Sequence, residues 1–179
     1  MDAKKGVHIQ DVSGQVNVGG DLVGGDKIQN IYVTSQEQTS EELFQKGMEA
    51  FQAKMYAKAA KYISESLNKN PSDPDAYYYL AFSLFAGKRP RLLPLSIIQK
   101  SEKLLQAAAD LAPGLAHIYL FWAFIKYDYY ILNKVYEKPP LYSELKSKLI
   151  PVDIAKAAEI RFHFDAPKNV VWENLNHIG

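Results

Sequence analysis

The stretch from residue 40 to residue 73 constrains the fold most, because it has the pattern of two short helices joined by a tight turn. Apolar and small residues recur there at three- and four-residue steps, which places them on one face of each helix. They are Leu43, Gly47, Ala50 and Phe51 in the first helix, and Tyr56, Ala59, Ala60, Ile63 and Leu67 in the second. Pro71 ends the second helix, since proline cannot continue one. The spacing predicts helices over about 41–53 and 56–69.

A glycine inside the first helix indicates close helix packing. Glycine costs a helix interior roughly 1 kcal/mol relative to alanine, so its presence at Gly47 suggests that the second helix approaches there. The hairpin resembles a tetratricopeptide repeat, a helical pair of roughly 34 residues. Counted from Ser40, the matching positions are Gly47, Tyr56, Ala59, Leu67 and Pro71, and the departures are Leu43, Lys46, Ala50, Lys54, Ile63 and Ser66. The resemblance implies a helical solenoid.

Two later segments repeat this pattern. In each predicted first helix a large residue is followed four positions later by a small one, in the pairs Leu43/Gly47, Tyr77/Ala81 and Tyr119/Ala123. We therefore predict a mainly α fold of stacked antiparallel hairpins with one continuous core. The hairpins span residues 41–69, 74–112 and 115–149, and residues 152–179 form a C-terminal cap. The first helix of the second hairpin is predicted to reach Ala86, before a long loop over 87–94.

The most apolar run is residues 118–132, and it is predicted to be a buried helix. It contains Lys126 and Asp128 and is shorter than the ~20 residues that a membrane-spanning helix needs. Three tyrosines are expected to be partly exposed or to form a docking surface: Tyr127, Tyr129 and Tyr130. A short helix is also predicted over about 152–162. Its face would consist of Ile154, Ala157, Ala158 and Arg161.

The N-terminal segment 14–33 divides into four five-residue units, each ending in an apolar residue: Val18, Val23, Ile28 and Val33. Valine and isoleucine favour strands, and the Gly-Gly-Asp units favour turns. A period of five requires a turn or bulge in each unit to keep one apolar edge. We predict short strands arranged as a meander or a small β-solenoid over residues 1–33. Residues 34–40 form a polar linker, and Thr39 and Glu42 form a capping box.

This segment is too small to bury its own apolar side chains, so we predict that it self-associates. Open strand edges also invite pairing with another chain. The expected oligomerisation residues are Val16, Val18, Leu22, Val23, Ile28, Ile31 and Val33. A loose glycine-rich tail is the alternative.

Two resemblances fall on the same segment. The sequences Gly-Gly-Asp at 19–21 and Gly-Gly-Asp-Lys-Ile at 24–28 resemble the glycine-aspartate leaders of bacterial signalling and conflict proteins. That likeness implies an assembly or recruitment role. The sequence Val-Asn-Val-Gly at 16–19 is similar to the core of amyloid signalling motifs. It implies an alternative in which residues 14–33 stack as cross-β strands.

The sequence contains no recognisable catalytic motif. There is no cysteine, and the four histidines have no metal-binding spacing, so we expect no enzyme activity, no metal and no cofactor. The net charge of +1 does not indicate nucleic-acid binding. Lys88, Arg89 and Arg91 form the densest basic cluster, which is either a solvated loop or a site for an acidic or phosphate partner. No signal peptide is recognisable, and we expect a cytoplasmic protein.

These patterns together predict a non-catalytic adaptor. It would oligomerise through its N-terminal head and bind another protein on the helical repeats, without a nucleic-acid or membrane partner. The expected partner contacts are Tyr78, Phe82, Phe85, Lys126 and Tyr130. Two alternatives remain open: an accessory subunit of an enzyme or nucleic-acid-processing complex, and amyloid-type signalling through residues 14–33.

Overall fold

The computed structural model describes residues 11–12, 15–16, 37–149 and 154–164. The chain divides into two compact units, residues 1–38 and residues 39–179. In the first unit, strands β1 (Asp11–Val12) and β2 (Gln15–Val16) pair antiparallel, with Asp11 opposite Val16. Of the predicted oligomerisation residues, Val16 lies in β2. The other six lie outside the described residues, so the β-repeat remains a prediction.

The described part of the second unit is helical. Its helices are α1 (Ser40–Gln52), α2 (Tyr56–Lys69), α3 (Pro74–Ser83), α4 (Leu95–Leu111), α5 (Ala116–Ile125), α6 (Tyr142–Lys146) and α7 (Ile154–Phe164). A 3₁₀ turn occupies Pro90–Leu92, and a π-helical turn over Lys126–Ile131 continues directly from α5. Helices α1 to α5 pack in chain order, each against the next. No helix in this part of the chain is long and apolar enough to cross a membrane.

The first hairpin confirms the sequence prediction. Thr39 and Glu42 form the predicted capping box at the start of α1. A Cβ atom placed on Gly47 would lie 2.5 Å from Cγ1 of Ile63 in α2, which is closer than real side chains approach. Glycine is therefore required there by the contact between α1 and α2.

The second hairpin differs from the prediction at the end of its first helix. Helix α3 ends at Ser83, three residues before the predicted end at Ala86. Ala86 and Gly87 both have positive φ angles, of 50° and 72°, which a right-handed helix cannot accommodate. Helix α4 begins directly after the loop predicted over 87–94 and ends at Leu111, and that loop contains the 3₁₀ turn.

The third hairpin is incomplete. Helix α5 is buried at every position from His117 to Ile125, as expected of a central helix. The chain then passes through the π-helical turn and an irregular stretch over 132–141, and the returning helix α6 has only five residues. Lys134 has a positive φ of 56°, and prolines at 139 and 140 lack the amide that a helix needs.

Helix α7 shows a different face from the predicted one. Ile154 is 81% exposed and Arg161 is also exposed, whereas the buried positions are Ala157, Ile160, His163 and Phe164. The predicted face was right at Ala157 and wrong at the other three positions, because it gave weight to small and aliphatic spacing and ignored the aromatic end of the helix.

Candidate protein-binding face

The first helices of the three hairpins, α1, α3 and α5, share one side that is covered by α7. We call this side the inner face. The side chains that contact α7 from these helices and from the turn after α3 are mainly aromatic: Phe51, Tyr79, Phe82, Phe85, Phe121 and Phe124. Because α7 reaches residues of all three helices, it lies across the hairpins and does not simply extend the stack.

Phe164 anchors the C-terminal end of α7. Its ring stacks on Phe82 with centroids 4.7 Å apart, and it lies 5.3 Å from the ring of Phe124 in α5. Phe164 is 1% exposed and Ile160 is fully buried. Complete burial of an aromatic or large aliphatic side chain is worth about 1.5–3 kcal/mol, so these two residues supply most of the apolar contact.

His163 is buried beside them as a neutral imidazole. Its Nδ1 lies 2.8 Å from the hydroxyl oxygen of Tyr56, and its ring centroid lies 4.4 Å from that of Phe51. Burial lowers the pKa of His163 to about 4, with a smaller contribution from the positive charge of Lys54. Lys54 also lies over the ring of Phe162, with its Nζ 3.9 Å from the ring centroid.

The N-terminal half of α7 makes polar contacts. The hydroxyl of Tyr79 donates to both carboxylate oxygens of Glu159 at 3.2 Å, and Lys156 donates to the same hydroxyl. The side-chain amide of Gln52 donates to Glu159 Oε1 at 3.4 Å. These bonds join α7 to α1 and α3 through partly exposed groups.

A second polar contact lies on the same side of α3. Nε2 of His117 is 3.3 Å from Oδ1 of Asp75. The contact with His117 lowers the pKa of Asp75, and Lys156 of α7 acts in the same direction. A carboxylate at this position therefore favours a positive charge at the N-terminal half of α7.

The five predicted partner contacts are buried in this structure. Tyr78, Phe82 and Phe85 have no exposed surface, and Lys126 and Tyr130 are 1% and 4% exposed. The expectation that they are open to a partner is corrected, because α7 covers the face on which three of them lie. Sequence reasoning placed these residues on first helices but did not place α7 over them.

Lys126 and Tyr130 are held by a partly buried carboxylate, that of Glu102. Lys126 Nζ lies 2.6 Å from Glu102 Oε1, and the hydroxyl of Tyr130 donates to Glu102 Oε2 at 2.8 Å. Lys126 also donates to the backbone oxygen of Lys138 at 2.7 Å. Burial, together with the hydrogen bond to Glu102, raises the pKa of Tyr130. Tyr130 was expected to be partly exposed, and its bond to Glu102 explains why it is not.

The residues that sequence reasoning missed are Ile160, His163 and Phe164. A signal was present, since Ala157, Ile160 and Phe164 stand at helical steps of three and four. Their packing partners could not be identified in this way. The spacing shows which residues share one face of α7, but not which helices pack against that face.

The described residues include no group of three or more histidine, aspartate or glutamate side chains that could hold a metal ion. An open cleft of about 350 Å³ lies beside α4, α5 and α6. Its wall includes Asp110, Trp122 and Lys148. These residues form no arrangement of nucleophile and base.

Neither a protein-family model nor a curated protein sequence matches the chain. Solved structures similar to it include the first tetratricopeptide-repeat domain of Spaghetti bound to an HSP90 peptide. That domain is 18% identical, with a TM-score of 0.48, over 70% of this chain and 93% of that chain. The Arabidopsis OM64 tetratricopeptide-repeat domain is 18% identical, with a TM-score of 0.48, over 69% and 93%. The CopN–Scc3 complex is 15% identical, with a TM-score of 0.49, over 85% and 82%. At these scores no ligand and no residue role is transferred to this chain.

Proposed function

We propose that this protein is a non-catalytic adaptor whose inner face binds an amphipathic helix of a partner protein. The observation that carries this proposal is the occupation of that face by a helix, α7, through both aromatic and polar contacts. The partner helix takes the place of α7, and the residues beneath it become the contact surface.

The chemistry of α7 describes the partner segment. It carries a basic and an acidic residue three positions apart, Lys156 and Glu159, that engage Tyr79. Ile160 and Phe164 follow at helical steps and enter the aromatic core. A partner helix needs the same order of features: a charged pair first, then an aliphatic and an aromatic residue.

Tyr78, Phe82 and Phe85 remain in the proposal as contacts that become accessible when α7 leaves. Lys126 and Tyr130 are no longer proposed as partner contacts, because Lys126 forms an ion pair and Tyr130 a hydrogen bond with Glu102. An isolated helix of eleven residues is marginal in water, so α7 loses its helical order when it leaves the face. A partner helix that is already ordered avoids this ordering cost.

The N-terminal head completes the mechanism. We propose that residues 1–33 associate with the same residues of other copies and so present several inner faces together, which raises avidity without new contacts. The likeness of residues 19–28 to leaders of bacterial signalling and conflict proteins supports a place in such a system.

A fluorescent peptide with the sequence of residues 154–164 tests the inner face directly. Fluorescence anisotropy measures its binding to the native chain, to Ile160→Ala and to Ile154→Ala. The apparent affinity depends on the fraction of chains whose face is open. We expect Ile160→Ala to bind the peptide at least about tenfold more tightly than the native chain, and Ile154→Ala to bind it like the native chain.

The peptide itself provides the control for loss of fold. Circular dichroism first establishes that each variant chain loses no more helix than the eleven residues of α7. A peptide carrying Ile160→Ala must then bind the opened chain about tenfold or more weakly than a peptide carrying Ile154→Ala. Equal binding of the two peptides, or no binding to the opened chain, contradicts the proposal.

A further inference from the structure

Two irregular segments of the helical unit are held together by one buried carboxylate. Asp128, in the π-helical turn, has no exposed surface and accepts a bond from the Arg89 guanidinium. It also accepts the backbone N–H of Arg91 at 3.0 Å, and Asn133 donates to the backbone oxygen of Arg91 at 3.2 Å. The loop before α4 and the segment after α5 therefore form one fixed structure.

Stability alone does not explain this ion pair well. Asp128 is fully buried and Arg89 is 28% exposed, and the cost of removing the Asp128 charge from water offsets much of what the attraction between the two contributes. What the pair does is fix the position of two segments that depart from regular hairpin geometry. Arg89 was predicted to belong to an open basic cluster. In the structure it is bonded to Asp128.

The segments present apolar side chains to solvent. Every residue from 131 to 136 is exposed, and four of these six are apolar. Leu92 is 70% exposed and Tyr136 is 83% exposed, so both side chains project from the surface. The apolar members of this surface are Leu92, Leu95, Ile131, Leu132, Val135 and Tyr136.

Basic residues lie on the same two segments. The range 84–100 contains no acidic residue, and Lys88 and Arg91 in it are exposed. Lys134 and Lys138 are exposed on the second segment, where Glu137 is the one acidic residue between 131 and 138. We call the six apolar residues, together with these four basic residues, the apolar-basic surface.

We propose that the apolar-basic surface binds the surface of a membrane that contains anionic lipids. Its apolar side chains project outward, which suits insertion among lipid headgroups better than a fit into a partner's groove. Lysine and arginine beside them are attracted to anionic headgroups, and tyrosine is suited to the boundary between water and lipid. An acidic protein is the competing partner, and the test separates the two.

Co-sedimentation of the full chain with vesicles tests this proposal. One set of vesicles is phosphatidylcholine with about one-third phosphatidylserine, and the other is phosphatidylcholine alone. We expect binding to the anionic vesicles, weakened by added salt, and little binding to the neutral ones. Lys88→Gln and Arg91→Gln should each lower the partition coefficient about fivefold. Lys61→Gln, an exposed charge on α2, should change it less than about twofold.

The apolar part is tested with a matched pair of leucines. Leu92→Ser should lower binding to the anionic vesicles about tenfold, whereas Leu111→Ser, at the exposed end of α4, should leave it unchanged. The proposal is overturned by no binding at low salt, by equal binding to both vesicle types, or by equal effects of the two leucine variants. If the chain binds neither type of vesicle, an acidic protein becomes the expected partner of the apolar-basic surface.

Discussion

Substitution of Ile160 by alanine is the sharpest perturbation of the inner face. Ile160 is fully buried in the contact between α7 and the first helices, and truncation of a buried isoleucine costs about 2–5 kcal/mol. On the proposal above, α7 leaves its site instead of enclosing a cavity. The loss should therefore appear as local opening of α7 and not as unfolding of all helices.

Hydrogen–deuterium exchange with mass spectrometry distinguishes these outcomes. A loss of about 2 kcal/mol increases the open population about thirtyfold, so amides of residues 154–164 should exchange about thirtyfold faster in Ile160→Ala. Amides of α1 and α2 should keep their native rates. Ile154→Ala provides the matched control, since this isoleucine of the same helix is 81% exposed and its loss should cost within about 0.5 kcal/mol.

Two results would refute this reasoning. If both isoleucine variants accelerate exchange equally, the described register of α7 is wrong. If Ile160→Ala accelerates exchange equally in every helix, α7 is an inseparable part of the core and cannot be exchanged for a partner helix.

Three further predictions concern a buried histidine, a glycine and the head. Because burial lowers the pKa of His163 from 6.5 to about 4, its contribution of about 3 kcal/mol is complete above pH 6.5 and is lost as the pH falls toward 4. Hydrogen exchange of residues 154–164 in the native chain and in His163→Gln across this range, corrected for the intrinsic pH dependence of exchange, should show the difference. Gly47→Ala should destabilise the chain by about 1–3 kcal/mol despite a better helix propensity, because its Cβ would meet Ile63. A Cβ atom at Gly114 would meet nothing within 4 Å, so Gly114→Ala should be neutral when the two glycine variants are compared by thermal melts. Deletion of residues 1–33 should yield a folded monomer by light scattering, and an unchanged oligomer mass would exclude the head as the site of assembly.

Local patterns predicted the first hairpin well because the forces that form it are local. The capping box joins Thr39 and Glu42, which are three residues apart. The spacing of the buried side chains follows from the regular geometry of the α-helix. Gly47 was correctly assigned to a close contact, since glycine weakens a helix interior and is favoured there mainly where another helix comes close. The end of α3 at Ser83 was missed because the positive φ of Ala86 is not visible in its residue type.

The inner face could not be predicted because its partner is distant in the chain. His163 meets Tyr56 across 107 residues, and Phe164 meets Phe82 across 82 positions. Sequence spacing identified which side chains of α3 share a face, but it contained no information on what covers it. The ion pair of Arg89 with Asp128 was missed for the same reason, since a basic cluster in a loop is taken to be solvated unless its partner is known.

The central claim is that α7 can leave the inner face in exchange for another helix. The chain contains no cysteine, so spin labels can be attached at Ala158→Cys on α7 and Lys61→Cys on α2 without further changes. Double electron–electron resonance should give one narrow distance in the labelled chain. Excess peptide of residues 154–164 should convert it to a longer, broader distribution in proportion to the peptide bound. A narrow distance that persists while the peptide is bound would contradict the account.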